Sequence, residues 1–251
     1  MQMVAQIAMV MLKFYLERKT VINGIKKDRL ESLKVDCTAT TLKERCFFAA
    51  LVHAIAVARF PQIGFEQSWS GVSYSMNDGA GQRGTISFSK DGCTAAFRNE
   101  NSERMHWEDN GIRLLRDLPK KLSSLMENET LEFLLDDVQG CVRPVITAAF
   151  WGRDSLFSFD ALDELKEHGA SLLTFQLLEI ERAESLWQEY YEMTKEQINL
   201  AKSLFVRKMH DSHKQITLTE FEVAVIDFAG EEGKSESSIS FGELGVYYAE
   251  G

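Results

Sequence analysis

From Thr41 to about Arg59 the chain is apolar nearly all round, with Phe47, Phe48, Ala49, Leu51, Val52, Ile55 and Val57 spread over every side of one helix. A helix without a wet side has to sit inside a core. Its greasiest part, residues 46–57, contains His53 and is too short for a bilayer, which takes about 20 apolar residues. The rest of the chain must therefore supply elements that surround one buried helix. Thr40 or Thr41 is expected to cap its start, with Glu44 in capping-box position after Thr41, and Phe60-Pro61 to end it.

Beyond Pro61 the chain has the texture of strands. Residues 65–76 carry Trp69, Val72, Tyr74 and Met76 in partial alternation, and 84–89 place Ile86 and Phe88 on one face. Asn77-Asp78-Gly79-Ala80-Gly81 is turn chemistry, and Lys90-Asp91-Gly92 is a hairpin signal, because Asp-Gly accepts the positive φ of a tight turn. With 93–97 as a third strand, an antiparallel meander over about 65–98 is expected. Thr-Ala-Ala-Phe occurs at 94–97 and again at 147–150, which suggests two similar strands whose small residues let something pack closely.

Around the meander the periodicity is mostly helical. An amphipathic helix is expected at 3–18, a polar basic connection near 26–34, and helices at about 110–117, 119–127 and 129–137. A strand is expected near 142–151, then a helix from Asp160 that Gly169 closes. Residues 171–193 read mainly as one long helix with Leu173, Phe175, Trp187 and Tyr191 toward the core, with a strand over 172–180 as the other reading of its first half. Thr194 with Gln197 forms a capping box for a helix to His210. Alternation of Phe221, Val223 and Val225 against Glu220, Glu222 and Ala224 reads as a strand over 216–228. Residues 230–238 read as a polar, mobile loop, and 239–248 as a last strand or irregular tail. Runs of helices and strands, without strict alternation, argue for an α+β fold. One compact domain over 1–251 is expected, with lobes at 1–150 and 151–251 as the other arrangement.

That division follows charge. Residues 1–150 hold 18 acidic and 19 basic side chains, whereas 151–251 hold 20 and 9, so the second part carries the whole negative balance of the chain, −10. Such a field repels nucleic acid and anionic membrane and attracts basic surfaces. The four cysteines, Cys37, Cys46, Cys93 and Cys141, form no CxxC pair and read as reduced, mostly buried thiols. The apolar start at 4–12 lacks a basic lead and a cleavage site, which points to the cytoplasm.

Chemistry-bearing patterns are sparse. The glycine-rich run 78–84 leads into a strand, where a phosphate cradle needs a helix N-terminus, so it reads as a long hairpin turn. His210 and His213, with Asp211 between them, lack further ligands at matching spacing and suit a helix C-terminus. His106, Glu108 and Asp109 bring acid and base together around Trp107, and they are the residues an enzymatic reading would test first. Trp69, Tyr74, Phe88 and Phe97 read as core in preference to a base-stacking platform. No catalytic set, metal or cofactor is expected.

The function these features favour is a non-enzymatic, intracellular protein-binding protein, in the physical style of an immunity protein or antitoxin that covers a basic partner. Glu179, Glu181, Glu184, Glu189 and Glu192 are the expected contacts, with Glu231, Glu232 and Glu236 as a second acidic set. An enzyme with an unrecognised site and an assembly subunit of phage or mobile-element origin are the alternatives.

Overall fold

The buried helix is α1 (Ala39–Arg59), and the cap is Thr38, two or three residues earlier than expected: its side chain accepts a hydrogen bond from the Thr41 amide at 3.1 Å. The computed structural model describes residues 31–33, 37–211 and 214–249. The helix expected at 3–18 lies outside the described residues, as does the basic connection except for residues 31–33. From Phe48 to Ala58 every residue of α1 is buried. Each large apolar side chain removed from water there contributes about 1.5–3 kcal/mol. His53 is tolerated because Nε2 donates to the Ile63 carbonyl at 3.0 Å, and burial drives its pKa down to about 4, so the ring stays neutral.

One side of α1 lies on an antiparallel sheet. Its first strand is the short β1 (Glu31–Ser32), and the meander supplies β2 (Gln67–Ser70), β3 (Ser73–Asn77), β4 (Gln82–Ser89) and β5 (Gly92–Asn99). The strand expected from Phe65 to Met76 is thus two strands folded at Gly71, whose φ of +57 suits glycine. After β5 come two 3-10 turns and α2 (Lys120–Leu125), which runs through a five-residue π turn into a third 3-10 turn. The three helices expected over 110–137 are therefore one short helix among tight turns. β6 (Leu135–Val138) and β7 (Cys141–Pro144) form a separate hairpin, while β8 (Ala148–Gly152) and β9 (Leu156–Ser158) return to the main sheet. The strand expected near 142–151 is consequently split between two sheets. The main order is β1-β9-β8-β5-β4-β3-β2.

The two Thr-Ala-Ala-Phe segments turn out to be partners. In the β5–β8 register Ala95 faces Phe150, Ala96 faces Ala149 and Phe97 faces Ala148. Each phenylalanine lies opposite an alanine on the α1 side, and the two rings stack at 6.0 Å. The Ala96–Ala149 pair points the other way, under Met126, Leu131 and Leu134, in a smaller second core. Gly84 completes the fit: a Cβ there would lie 2.2 Å from Phe97 Cδ1.

The C-terminal part wraps the remaining sides of α1. It contains α3 (Leu162–Glu167), α4 (Ile180–Tyr190), α5 (Lys195–His210), β10 (Ile216–Thr217), α6 (Glu220–Val225), α7 (Gly230–Glu243) and β11 (Val246–Tyr247). The main core takes residues from Leu33 to Val246, on both sides of residue 150. The fold is α+β, a meander-containing sheet packed against helices.

Three expectations for this region are corrected. The long helix at 171–193 is only α4; before it, residues 170–178 are held in turns by tertiary bonds, with Gln176 Nε2 donating to Tyr74 Oη at 2.8 Å and Arg45 donating to the Leu177 carbonyl at 3.2 Å. The strand over 216–228 shrinks to β10, and 220–225 is helical. Thr219 and Glu222 form a reciprocal capping box there, which outweighs the alternating pattern. Residues 230–238 are not a loop but most of α7, whose inner face is made of Gly233, Ser237 and Ser240, with Phe241 as its one large apolar side chain. Ser237 Oγ donates to the Ala54 carbonyl at 2.7 Å, and a Cβ on Gly233 would come within 2.0 Å of the Ala58 carbonyl oxygen. Small residues on both helices let the backbones touch, so the face of α7 buried at 233–240 is small and polar by composition.

Candidate functional site

Charge and shape single out two surfaces: the outer face of α4 on the helical side, and a groove on the opposite face of the sheet. On α4, Ala183, Trp187 and Tyr191 recur every four residues and point inward. Phe175, Trp187, Tyr190 and Tyr191 form a tight aromatic cluster, with Phe175 and Trp187 edge to face at 4.5 Å and Trp187 and Tyr191 stacked at 5.6 Å.

The five glutamates expected as contacts divide by role. Glu179 pairs with the buried Arg45 of α1. Glu192, at a left-handed φ of +51, lies 3.7 Å from Arg59 of α1. These two pin the helix ends to α1. Glu184 reaches Lys202 of α5 at 2.9 Å. Glu181 and Glu189 are exposed and make no ion pair among the described residues. In the second acidic set, Glu231 and Glu232 are exposed in the first turn of α7 and Glu236 is half-buried.

The groove opens on the outer face of the meander and has a volume of about 250 Å³. Phe65 and Phe133 stand in its walls, 55 % and 42 % exposed. Pleating puts the aromatic positions of β2–β4 toward α1 and the intervening ones outward. Those intervening positions are Ser68, Ser75 and Thr85, in register across three strands, with Asn77 opposite Arg83 beside them. Sequence reading followed the aromatic positions and missed these; the signal was the run of hydroxyl residues at the alternate sites. Ser75 and Thr85 hydroxyls bond each other at 3.1 Å. Arg83 Nε is buried with no hydrogen-bond partner.

The glycine-rich loop beside the groove binds its own carboxylate. Asp78 Oδ1 accepts from the Ala80 and Gln82 amides, both at 2.8 Å, and Asn77 Oδ1 accepts from the Gly79 amide at 2.9 Å. An anion cradle made of these amides is thereby already filled, as expected of a hairpin turn.

The other sequence candidates do not converge. His106 and Glu108 are exposed, and Asp109 is engaged locally, accepting from Arg113 Nε at 2.8 Å and from the Gly111 amide at 3.2 Å. His210 ends α5 in the basic last turn expected there, while His213 lies outside the described residues. Among the described residues no group of three or more His, Cys, Asp or Glu could hold a metal ion, and no helix is long and apolar enough to cross a membrane. Cys37, Cys46 and Cys93 are buried, Cys141 is exposed, and none of the four is in a disulfide among the described residues. Ser102 Oγ lies 2.8 Å from His168 Nδ1, but both residues are buried and Ser102 Oγ also accepts from the Arg104 amide, a capping role.

One carboxyl has unusual proton affinity. A directional chain runs from Gln176 Nε2 to Tyr74 Oη, from Tyr74 to Gln67 Oε1, from Gln67 Nε2 to Tyr191 Oη, and from Tyr191 to Glu66 Oε2, with lengths of 2.8, 2.7, 3.0 and 3.2 Å. Burial raises the Glu66 pKa from 4.5 to about 7, against the lowering effect of the Tyr191 bond, and nearby Asp78 adds to the rise. A folded-state pKa above the unfolded one means stability present at low pH that is lost as pH rises through about 7. An unscreened shift of this size is worth about 3 kcal/mol; partial exposure screens it, leaving about 1–2. Glu66→Gln should therefore be neutral near pH 4.5 and stabilising by that amount near pH 8, in urea denaturation at the two pH values. An equal effect at both would show that Glu66 titrates normally.

Against known proteins, no family model, no curated protein and no solved structure matches the chain.

Proposed function

We propose that this chain is a non-enzymatic protein-binding protein, an inhibitor of the immunity or antitoxin type, that docks a basic partner on the outer face of α4. The observation that carries this reading is the division among the glutamates. Arg45 and Arg59 tie both ends of α4 to the core helix through Glu179 and Glu192, while Glu181 and Glu189 are exposed with no ion pair among the described residues. Long-range attraction needs uncompensated charge, and tight docking needs a surface that does not have to be ordered on binding. The aromatic cluster beneath α4 provides that rigidity. The net negative balance of residues 151–251 adds a steering field over the same side.

The test is capture of partner protein from the native lysate at low and high salt, beside the double variant Glu181→Lys/Glu189→Lys and the control Glu127→Lys on the far side of the sheet. A basic protein held at low salt, released at high salt, lost by the double variant and kept by the control is the expected result, because exposed charges are screened beyond about 3 Å at 1 M salt. Retention by the double variant, or no retention at either salt, refutes the reading.

A further inference from the structure

The groove on the opposite face of the sheet has a chemistry unlike that of α4. Its lining contains no aspartate or glutamate and has more donors than acceptors to receive them. Arg83 brings a guanidinium whose Nε is buried without a partner, and it makes no ion pair within 4 Å among the described residues. Asn77 has spent its carbonyl oxygen on the Gly79 amide, so its NH₂ group is what remains to offer. Ser75 and Thr85 share one bond between two hydroxyls, which leaves one O–H to donate outward. Ser68 adds a hydroxyl in the same row.

A buried guanidinium nitrogen without an acceptor is costly unless one comes to it, and Arg83 Nε is such an atom on a half-buried side chain. Arg98, the cross-strand neighbour of Arg83, is likewise short of acceptors at Nε and Nη1, but it has a counter-charge close by: Asp136 of β6 lies 2.5 Å from Arg98 Nη1. Two like charges side by side on a sheet repel, and one carboxylate is shared against both: Arg98 chiefly, and Arg83 more weakly, hold the Asp136 pKa below the usual carboxylate range. The positive charge of Arg83 is thus under-compensated where the groove opens. Beside it stand Phe65 and Phe133, each about half exposed among the described residues.

We infer that this groove is a binding site for a small anion that joins a carboxylate or phosphate group to a flat apolar ring, with Arg83, Asn77 and the Ser68–Ser75–Thr85 row taking the anionic group and Phe65 and Phe133 taking the ring. Its volume lies below the roughly 300–1,000 Å³ of sites for drug-sized ligands, so the occupant is a single ring with its anionic substituent. The groove lies on the far side of the sheet from α4, so this inference and the partner reading stand or fall separately.

Calorimetric titration of the whole chain with benzoate, phenyl phosphate, neutral benzamide and inorganic phosphate tests it. Benzoate or phenyl phosphate is expected to bind with Kd of about 1 mM, as suits a fragment, and the tighter of the two names the anionic group. Benzamide and inorganic phosphate should each bind at least roughly tenfold more weakly, one lacking the charge and the other the ring. Arg83→Gln should weaken the ring anions about tenfold, and Phe133→Ala several-fold. Arg83 makes no ion pair within 4 Å among the described residues, so Arg83→Gln should not lower the melting temperature. Benzamide matching benzoate, inorganic phosphate matching phenyl phosphate, an unchanged affinity in Arg83→Gln, or no binding of either ring anion would each overturn the inference.

Discussion

Asp160→Ala is expected to cost about 3–5 kcal/mol, the usual penalty for stripping one partner from a buried ion pair. Arg104 and Asp160 are each about 5 % exposed and meet in a two-pronged contact, Nη1 to Oδ2 at 2.6 Å and Nη2 to Oδ1 at 2.8 Å. Arg104 also donates to the Thr147 carbonyl at 2.9 Å and to Glu164 at 2.9 Å, and its guanidinium lies 5.0 Å from the Trp107 ring. It therefore ties the turn after β5 to the start of β8 and to α3. Without Asp160 a guanidinium would be left in the interior with only the half-exposed Glu164 as counter-charge. For a chain of this length the loss corresponds to roughly 10 °C or more in Tm. Glu164→Ala removes a partner open to water and should cost less than about 1 kcal/mol. Urea denaturation of both variants checks the contrast; equal small losses would mean that the ion pair holds nothing together.

Gly233→Ala should be nearly as damaging, about 3 kcal/mol, although it adds one methyl group. That methyl would sit 2.0 Å from the Ala58 carbonyl oxygen, which is α1 backbone and cannot step aside. The α1–α7 pair would have to separate and lose the Ser237–Ala54 bond with it. Gly242 is the internal control, because it lies in the same helix with nothing within 4 Å of its missing Cβ. Gly242→Ala should stabilise by roughly 0.5–1 kcal/mol, the ordinary gain from replacing glycine in a helix. Opposite signs at two glycines nine residues apart would establish that α7 is held by close backbone contact. A stabilising Gly233→Ala would overturn it.

Thermal melts read alongside the urea curves give the same ranking without extrapolation. The order expected is Asp160→Ala least stable, then Gly233→Ala, then wild type, then Gly242→Ala.

The candidate sites were legible in unequal measure. The glutamates of α4 are visible in sequence as an acidic set, but nothing local shows that Arg45 and Arg59, more than 130 residues away, have claimed Glu179 and Glu192. The groove depends on Phe65 and Phe133 reaching one place from segments 68 residues apart, and on Arg83 Nε ending without a hydrogen-bond partner among the described residues. Neither fact is encoded in any window of the chain.

The sequence by itself determined what local chemistry can decide. Continuous apolar character made α1 a core helix; alternation and Asp-Gly turns made the meander; Thr194 with Gln197 made the start of α5. Tertiary structure decided the rest, wherever local preference was weak or pointed elsewhere. Residues 171–178 have helical spacing, but bonds from Gln176 to Tyr74 and from Arg45 to Leu177 hold them in turns. Residues 230–240 have no apolar stripe, and they are helical because α1 lies so close that Gly233 touches the Ala58 carbonyl and Ser237 bonds the Ala54 carbonyl. Pattern follows burial by apolar side chains; where backbones themselves make the contact, the pattern is silent and only the packed structure reveals the helix.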